Sequence, residues 1–197
     1  MTSYYDKWNK IYRNYPLSSL GWELNRPRPI LIEFVEKGLI KKGKMLDICC
    51  GAGTNSVYLA KNNFSVYASD ISLKAIQYAK EKVRREKVKI NLILQNFINL
   101  SFTNEIFDFV FDMGCFHHVQ IPDRTAFIES VEMVLKKNGL YMLTCFSDKN
   151  GSSWNHFTKT HLKQIFSEYF KLVEIRHYSS IEGDGIKRFF YTVLMKK

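Results

Sequence analysis

Met45-Leu46-Asp47-Ile48-Cys49-Cys50-Gly51-Ala52-Gly53-Thr54-Asn55 is the stretch that decides the fold. An apolar run ends near an acidic residue, passes through Gly-x-Gly and opens into a helical segment. A second strand pattern, Val66-Tyr67-Ala68-Ser69-Asp70, ends in another carboxylate. Asp70 follows Gly51 at close to the ~20 residues expected when an acidic side chain at a strand tip holds a ribose. Glycine tolerates positive φ and has no Cβ, so backbone can approach a ligand there. Together these features point to a nucleoside-binding α/β domain.

The loop leans away from a dinucleotide. A Gly-x-Gly-x-x-Gly loop uses its last glycine for close helix–strand packing, and here that position is Ser56. Asp47 before the loop would repel a diphosphate and suits a ligand carrying an ammonium. S-adenosylmethionine has that ammonium and a ribose for Asp70, and it has no phosphate. A bare Gly-x-Gly would be explained by a simple strand-to-helix turn; the two strand-end carboxylates favour a ligand.

At these residues the chain resembles the class I S-adenosylmethionine-dependent methyltransferases, whose first motif commonly reads Leu-Asp-x-Gly-Cys-Gly-x-Gly. The resemblance continues through Asp70-Ile71-Ser72, Phe107-Asp108-Phe109-Val110-Phe111-Asp112 and Leu135-Lys136-Lys137-Asn138-Gly139-Leu140, covering about residues 20–196. Gly21-Trp22-Glu23-Leu24-Asn25-Arg26-Pro27 is similar to the entry segment of the thiopurine, thiol and tellurite-resistance branch. One departure stands out: Cys49 takes the place of the family's first glycine. The resemblance implies cofactor contacts from Asp47, Cys49, Gly51, Gly53, Asn55, Asp70 and Ile71. It implies adenine contacts from Asn96, where the family usually has aspartate, and from Phe97. Met113, Gly114 and Cys115 would line the methionyl portion. Trp22 would shield the sulfonium and Arg26 would pair with the methionyl carboxylate; a plain hydrophobic cover over the sheet explains that segment equally well.

The chain has 197 residues, 46% hydrophobic and 15% aromatic, a globular composition. It reads as one methyltransferase domain over 1–197, with a helical cover at 1–40 and a cofactor-binding core at 41–197. No apolar run reaches the ~18 residues of a membrane span, and the N-terminus lacks a signal peptide's apolar core. A cytoplasmic monomer with no membrane partner is expected. Cys49 and Cys50 are adjacent, Cys115 and Cys145 fall in strand patterns, and none has zinc-type spacing, so buried reduced thiols and no metal are expected. The net charge of +10 raises nucleic acid as a partner. Its one dense run, Lys80–Lys87, alternates with glutamates, and a solvated helix face is the favoured explanation.

Along the chain, 3–14 reads as an aromatic-rich helix, and Pro27 and Pro29 open a second. Strand and helix then alternate: strand 44–49, helix 54–62, strand 65–70, helix 73–86 capped by Ser72, and strand 90–95. Strand 107–113, a helix from Asp123 to Lys137 stopped by Gly139, and strand 140–146 follow. After a helix near 159–168, strands Lys171–Tyr178 and Phe189–Met195 should pair antiparallel. The alternation demands a doubly wound, mostly parallel sheet. With the antiparallel hairpin it is the seven-stranded Rossmann-like architecture that the resemblance implies.

Methyl transfer is an in-line displacement at an activated sulfonium, so the protein must align the reactants and keep the cavity dry. No nucleophile or metal is required. His117 and His118, after the fourth strand, are candidate bases beside a packing role, and His118 is also a candidate cofactor contact. His156 and His177 are weaker ones. A small-molecule methyl acceptor is favoured over RNA or protein. A non-catalytic S-adenosylmethionine binder is the remaining alternative, motivated by Cys49.

Overall fold

The structure, a computed structural model, describes residues 4–197. Seven strands form one sheet: β1 (Lys44–Ile48), β2 (Ser65–Asp70), β3 (Ile90–Leu94), β4 (Phe107–Met113), β5 (Leu135–Phe146), β6 (Lys171–Ile181) and β7 (Lys187–Lys196). Their order is β3-β2-β1-β4-β5-β7-β6. Pairings among β1 to β5 are parallel, and β7 runs antiparallel between β5 and β6. The strand order reverses at β1, so a crevice opens beyond its carboxyl end, where such sheets take ligands.

The helices are α1 (Tyr4–Asn14), α2 (Pro29–Glu36), α3 (Thr54–Lys61), α4 (Leu73–Glu86), α5 (Arg124–Val134) and α6 (Lys159–Phe166). Alternation along a strand sends neighbouring side chains to opposite faces. Met45 packs with Ile30, Leu31 and Phe34 of α2. Leu46 faces the other way, into a core with Phe127 and Val131 of α5 and Phe166 of α6. α4 begins after Ser72, whose hydroxyl accepts the Ala75 amide at 3.2 Å, an ordinary N-cap. Its buried Ala75 and Ala79 leave room for the loop and for Tyr12 of α1 above them.

Some elements differ from the sequence reading. Residue 3 of the first helix expectation, and the N-terminal tip read against a signal peptide, lie outside the described residues. α2 starts at Pro29 with Arg28 as its N-cap, and Pro27 stays outside. α5 ends at Val134, short of Lys137, and Gly139 is no helix stop. The chain is captured there by the segment leading into β4: Glu105 and Ile106 donate their amides to the Met133 and Val134 carbonyls. Lys136 and Lys137 therefore lie within β5, and Asn138 makes the bend at φ 66°. The final hairpin is longer than the apolar pattern suggested, reaching Ile181 and starting again at Lys187.

The cysteine expectation is corrected. Cys49 and Cys115 are joined as a disulfide, leaving Cys50 and Cys145 free. The two adjacent cysteines point apart because the chain turns at Cys49, which holds φ 55°, a region that glycine occupies freely. Within the Lys80–Lys87 run, expected as a solvated helix face, Lys82 departs: it is buried and turned toward the N-terminal cover.

Candidate active site

The β1–α3 loop is shaped by two glycines. Gly51 sits at φ 56°, and a Cβ there would lie 2.7 Å from the Tyr12 hydroxyl, so only glycine lets the cover come this close. Asp70, at the tip of β2, is buried and holds the loop. Its Oδ2 accepts the Gly51 amide at 2.9 Å and its Oδ1 the Ser72 amide at 2.8 Å. Burial raises its carboxyl to about 6, against the pull of those amides. Asp47 is also buried and accepts a hydrogen bond from Ser56; burial raises it to about 7. Ser56, which replaces a packing glycine, thus satisfies the carboxyl beneath the loop.

A cavity of about 240 Å³ begins at Asp70, Ile71 and Phe97 and runs past Cys49, Met113, Gly114 and Cys115. It continues to a wall made by Thr144, Phe146 and Phe190 of β5 and β7. Trp8, Tyr12 and Trp22 roof it, with Trp22 Nε1 donating to the Tyr12 hydroxyl at 3.1 Å. A second, smaller cavity of about 60 Å³ lies beside the glycine loop, lined by Glu23, Arg26, Asp47, Gly51, Thr54 and Asn55. Cys49, Trp22 and Met113 border both.

The cover is fastened to the far hairpin. Arg28 makes a two-pronged ion pair with Glu182, at 2.7 and 2.8 Å, and donates to the Trp22 carbonyl at 3.0 Å. Gly183 donates its amide to the Gly21 carbonyl at 2.6 Å. Asn55 accepts the Arg28 amide at 3.0 Å, tying α2 to α3. Asp184 and Arg188 form a second two-pronged pair along the same cavity, at 2.7 and 2.6 Å.

His117 and His118 both line the cavity. His117 is buried, stacked on Phe146 at 3.9 Å, and its Nδ1 accepts the Phe146 amide at 3.3 Å. Burial drives its pKa well below the usual value. His118 meets Trp8 edge-on at 4.8 Å, and burial lowers it to about 4. His156 and His177 lie elsewhere: His156 Nδ1 pairs with the Gly151 carbonyl and His177 Nε2 with the Ser147 hydroxyl.

Of the residues picked from sequence, Asn96 and Gly53 line neither cavity. Asn96 is exposed and its side-chain oxygen accepts the Ile98 amide at 3.0 Å, closing a local turn. Gly53 is buried against Ala79. Sequence reasoning missed Trp8, Tyr12, Arg28, Glu182, Asp184 and Arg188. The last three lie in and beside the turn between β6 and β7, the link between the two strands expected to pair antiparallel.

Strand order, glycine loop and strand-end carboxylates define a Rossmann-like α/β domain of the methyltransferase type. A methyltransferase-domain family profile matches residues 45–139. The uncharacterized methyltransferase C1348.04 of Schizosaccharomyces pombe is 31% identical over 123 residues, 60% of this chain and 85% of that protein. The chain belongs to the class I S-adenosylmethionine-dependent methyltransferases. Among solved structures, N-methyltransferase NodS from Bradyrhizobium japonicum, in complex with S-adenosyl-L-homocysteine, superposes with TM-score 0.77 at 17% identity, covering 96% of this chain and 97% of that one. A structure from work on converting a disulfide bond into a thioacetal group during echinomycin biosynthesis gives TM-score 0.90 at 18% identity, covering 99% and 92%. No helix among the described residues is long and apolar enough to cross a membrane.

Proposed function

We propose that the chain acts as one catalytic domain, binds S-adenosylmethionine in the two joined cavities, and methylates a small molecule. The observation that carries the acceptor reading is the roof: α1, the 20–28 segment and the 182–184 loop close over the cavity, joined by the buried Arg28–Glu182 pair. A roofed cavity of this size suits a compact acceptor better than an RNA strand or a folded protein.

The residues present fit the cofactor. Asp70 lines the cavity with each oxygen fixed by an amide and one lone pair left for a ribose hydroxyl. Ile71 and Phe97 supply apolar walls for the base, and Met113, Gly114 and Cys115 border the path from ribose to acceptor. Arg26 and Asp47 border the small polar cavity at the methionyl end, and Trp22 stands between the two. When bound, the cofactor supplies a methyl group activated on a sulfonium.

The protein's own part is orientation and exclusion of water. Phe146, Phe190 and Trp8 give the acceptor an apolar bed, and both arginine–carboxylate pairs beside it are internally neutralised. His118 is the histidine placed to take a proton from the acceptor, because the Nδ1 of His117 is already occupied. Calorimetry with S-adenosylmethionine, S-adenosylhomocysteine and NAD, then a panel of thiols, amines and chalcogen acids scored by S-adenosylhomocysteine release, tests the reading. NAD binding without S-adenosylmethionine binding, or turnover on RNA alone, would overturn it.

A further inference from the structure

The smaller cavity holds a charged arrangement that the glycine loop does not explain. Glu23 reaches into it from the cover, its side chain only 10% exposed, and Lys82 of α4 approaches from below, equally buried and 3.6 Å away. Oε1 of Glu23 accepts the Thr54 hydroxyl at 2.7 Å and the Asn25 amide at 3.1 Å. Lys82 in turn donates to the Thr54 hydroxyl. One oxygen is therefore fixed from three sides, and Oε2 receives no hydrogen bond from any described residue. Glu23 lines the small cavity, so a donor placed there can complete its carboxylate.

Arg26 lines the same cavity from three residues further along and takes part in no ion pair with the described residues. A guanidinium and a carboxylate facing one small polar space complement a zwitterion, the carboxylate and ammonium of an α-amino acid. Asp47 borders the space too, but its Oδ2 is engaged by Ser56 and it lies deeper, behind the loop.

We propose that Glu23 grips the ammonium of the cofactor's aminocarboxypropyl arm, with Lys82 and Thr54 as positioning residues that hold its Oε1. The assignment rests on the cofactor reading above. It makes the N-terminal cover part of the cofactor site, so the cover closes against bound cofactor.

The test compares two ligands that share the adenosine and differ in the arm: S-adenosylhomocysteine and 5′-methylthioadenosine, which has no amino acid. Glu23→Gln should weaken S-adenosylhomocysteine roughly 10–100-fold, the loss expected for one charge-assisted hydrogen bond, and leave 5′-methylthioadenosine within about twofold. Lys82→Met should give a smaller loss with the same selectivity, partly restored in Lys82→Arg. Glu23→Asp, which keeps the charge and retracts it, should show the selective loss even where the Gln variant melts too early to titrate. Equal losses for both ligands, or none for either, would overturn the assignment. A wild-type protein that binds neither nucleoside would overturn the cofactor reading and this assignment with it.

Discussion

Removing one member of the Arg28–Glu182 pair should cost far more than an ion pair usually does. The side chains are 7% and 3% exposed, and the two residues lie 154 positions apart, joining α2 to the loop after β6. Surface pairs contribute little because water screens both charges. Here neither charge has water to fall back on, so truncating Glu182 to Ala strands a buried guanidinium, a loss of ~3–5 kcal/mol. For a chain of this size each kcal/mol moves the melting point by roughly 2–4 °C, giving a drop of roughly 6–20 °C. Arg28→Met with Glu182→Leu replaces both charges with apolar volume and should recover most of that loss. Scanning calorimetry on the wild type, each single variant and the double variant measures the coupling. A melting point for Glu182→Ala within about 3 °C of wild type would show that the pair is hydrated in solution and that the latch is loose.

Four further outcomes follow from the same geometry. Asp70→Ala should lower cofactor affinity at least tenfold, a charge-assisted contact being worth ~1.5–3 kcal/mol, and should also lower the melting point, because the Gly51 and Ser72 amides lose their acceptor; unchanged titrations would move the ribose site elsewhere. Asp47 and Asp112 hold their protons to about 7 and Asp70 to about 6, above an unfolded carboxyl at ~3.9. The folded state therefore binds more protons, so their contribution to stability is full below pH ~4 and lost as pH rises to ~7. Urea titrations should show that decline, and Asp47→Asn should flatten it; an unchanged slope would refute the shift. Alkylation of the unfolded, unreduced protein should label Cys50 and Cys145 alone, and labelling of all four would refute the Cys49–Cys115 bond. Because burial holds His118 at about 4, the rate of methyl transfer should show no histidine inflection near pH 6.5; an inflection there that vanishes in His118→Gln would refute the lowered basicity.

The half of the site nearest β1 and β2 was legible because local rules place it. A strand that ends in a carboxylate, a glycine turn and a helix start form one continuous segment, so Asp47, Gly51 and Asp70 reach the crevice whatever the rest of the chain does. Asn96 shows where such transfer stops: its position after β3 is as expected, but an asparagine oxygen can close its own turn on the Ile98 amide, and it does. Gly139 failed for a related reason. Glycine after a helical pattern is ambiguous between a cap and a bend inside a strand, and the pairing of Phe107 with Leu135 decided for the strand.

The wall proposed to face the acceptor was illegible because no local rule produces it. Trp8, Arg28, Phe146 and Glu182 come from α1, the start of α2, β5 and the loop after β6, and each taken alone reads as cover, cap, core or connector. Only tertiary packing makes the Arg28 guanidinium meet the Glu182 carboxylate, and a buried pair is the one place where such a meeting must be accurate to be tolerated. The same reasoning covers Lys82. Its sequence neighbours mark a solvated face, yet one residue of that run turns inward because Thr54 and Glu23 give its charge partners. The ribose end of the proposed cofactor site is thus written in the loop that opens the fold and the tip of β2, while its amino-acid end borrows Glu23 and Arg26 from the cover. The proposed acceptor half depends on how the N-terminal cover meets the last hairpin, at a seam whose partners lie 154 positions apart in sequence.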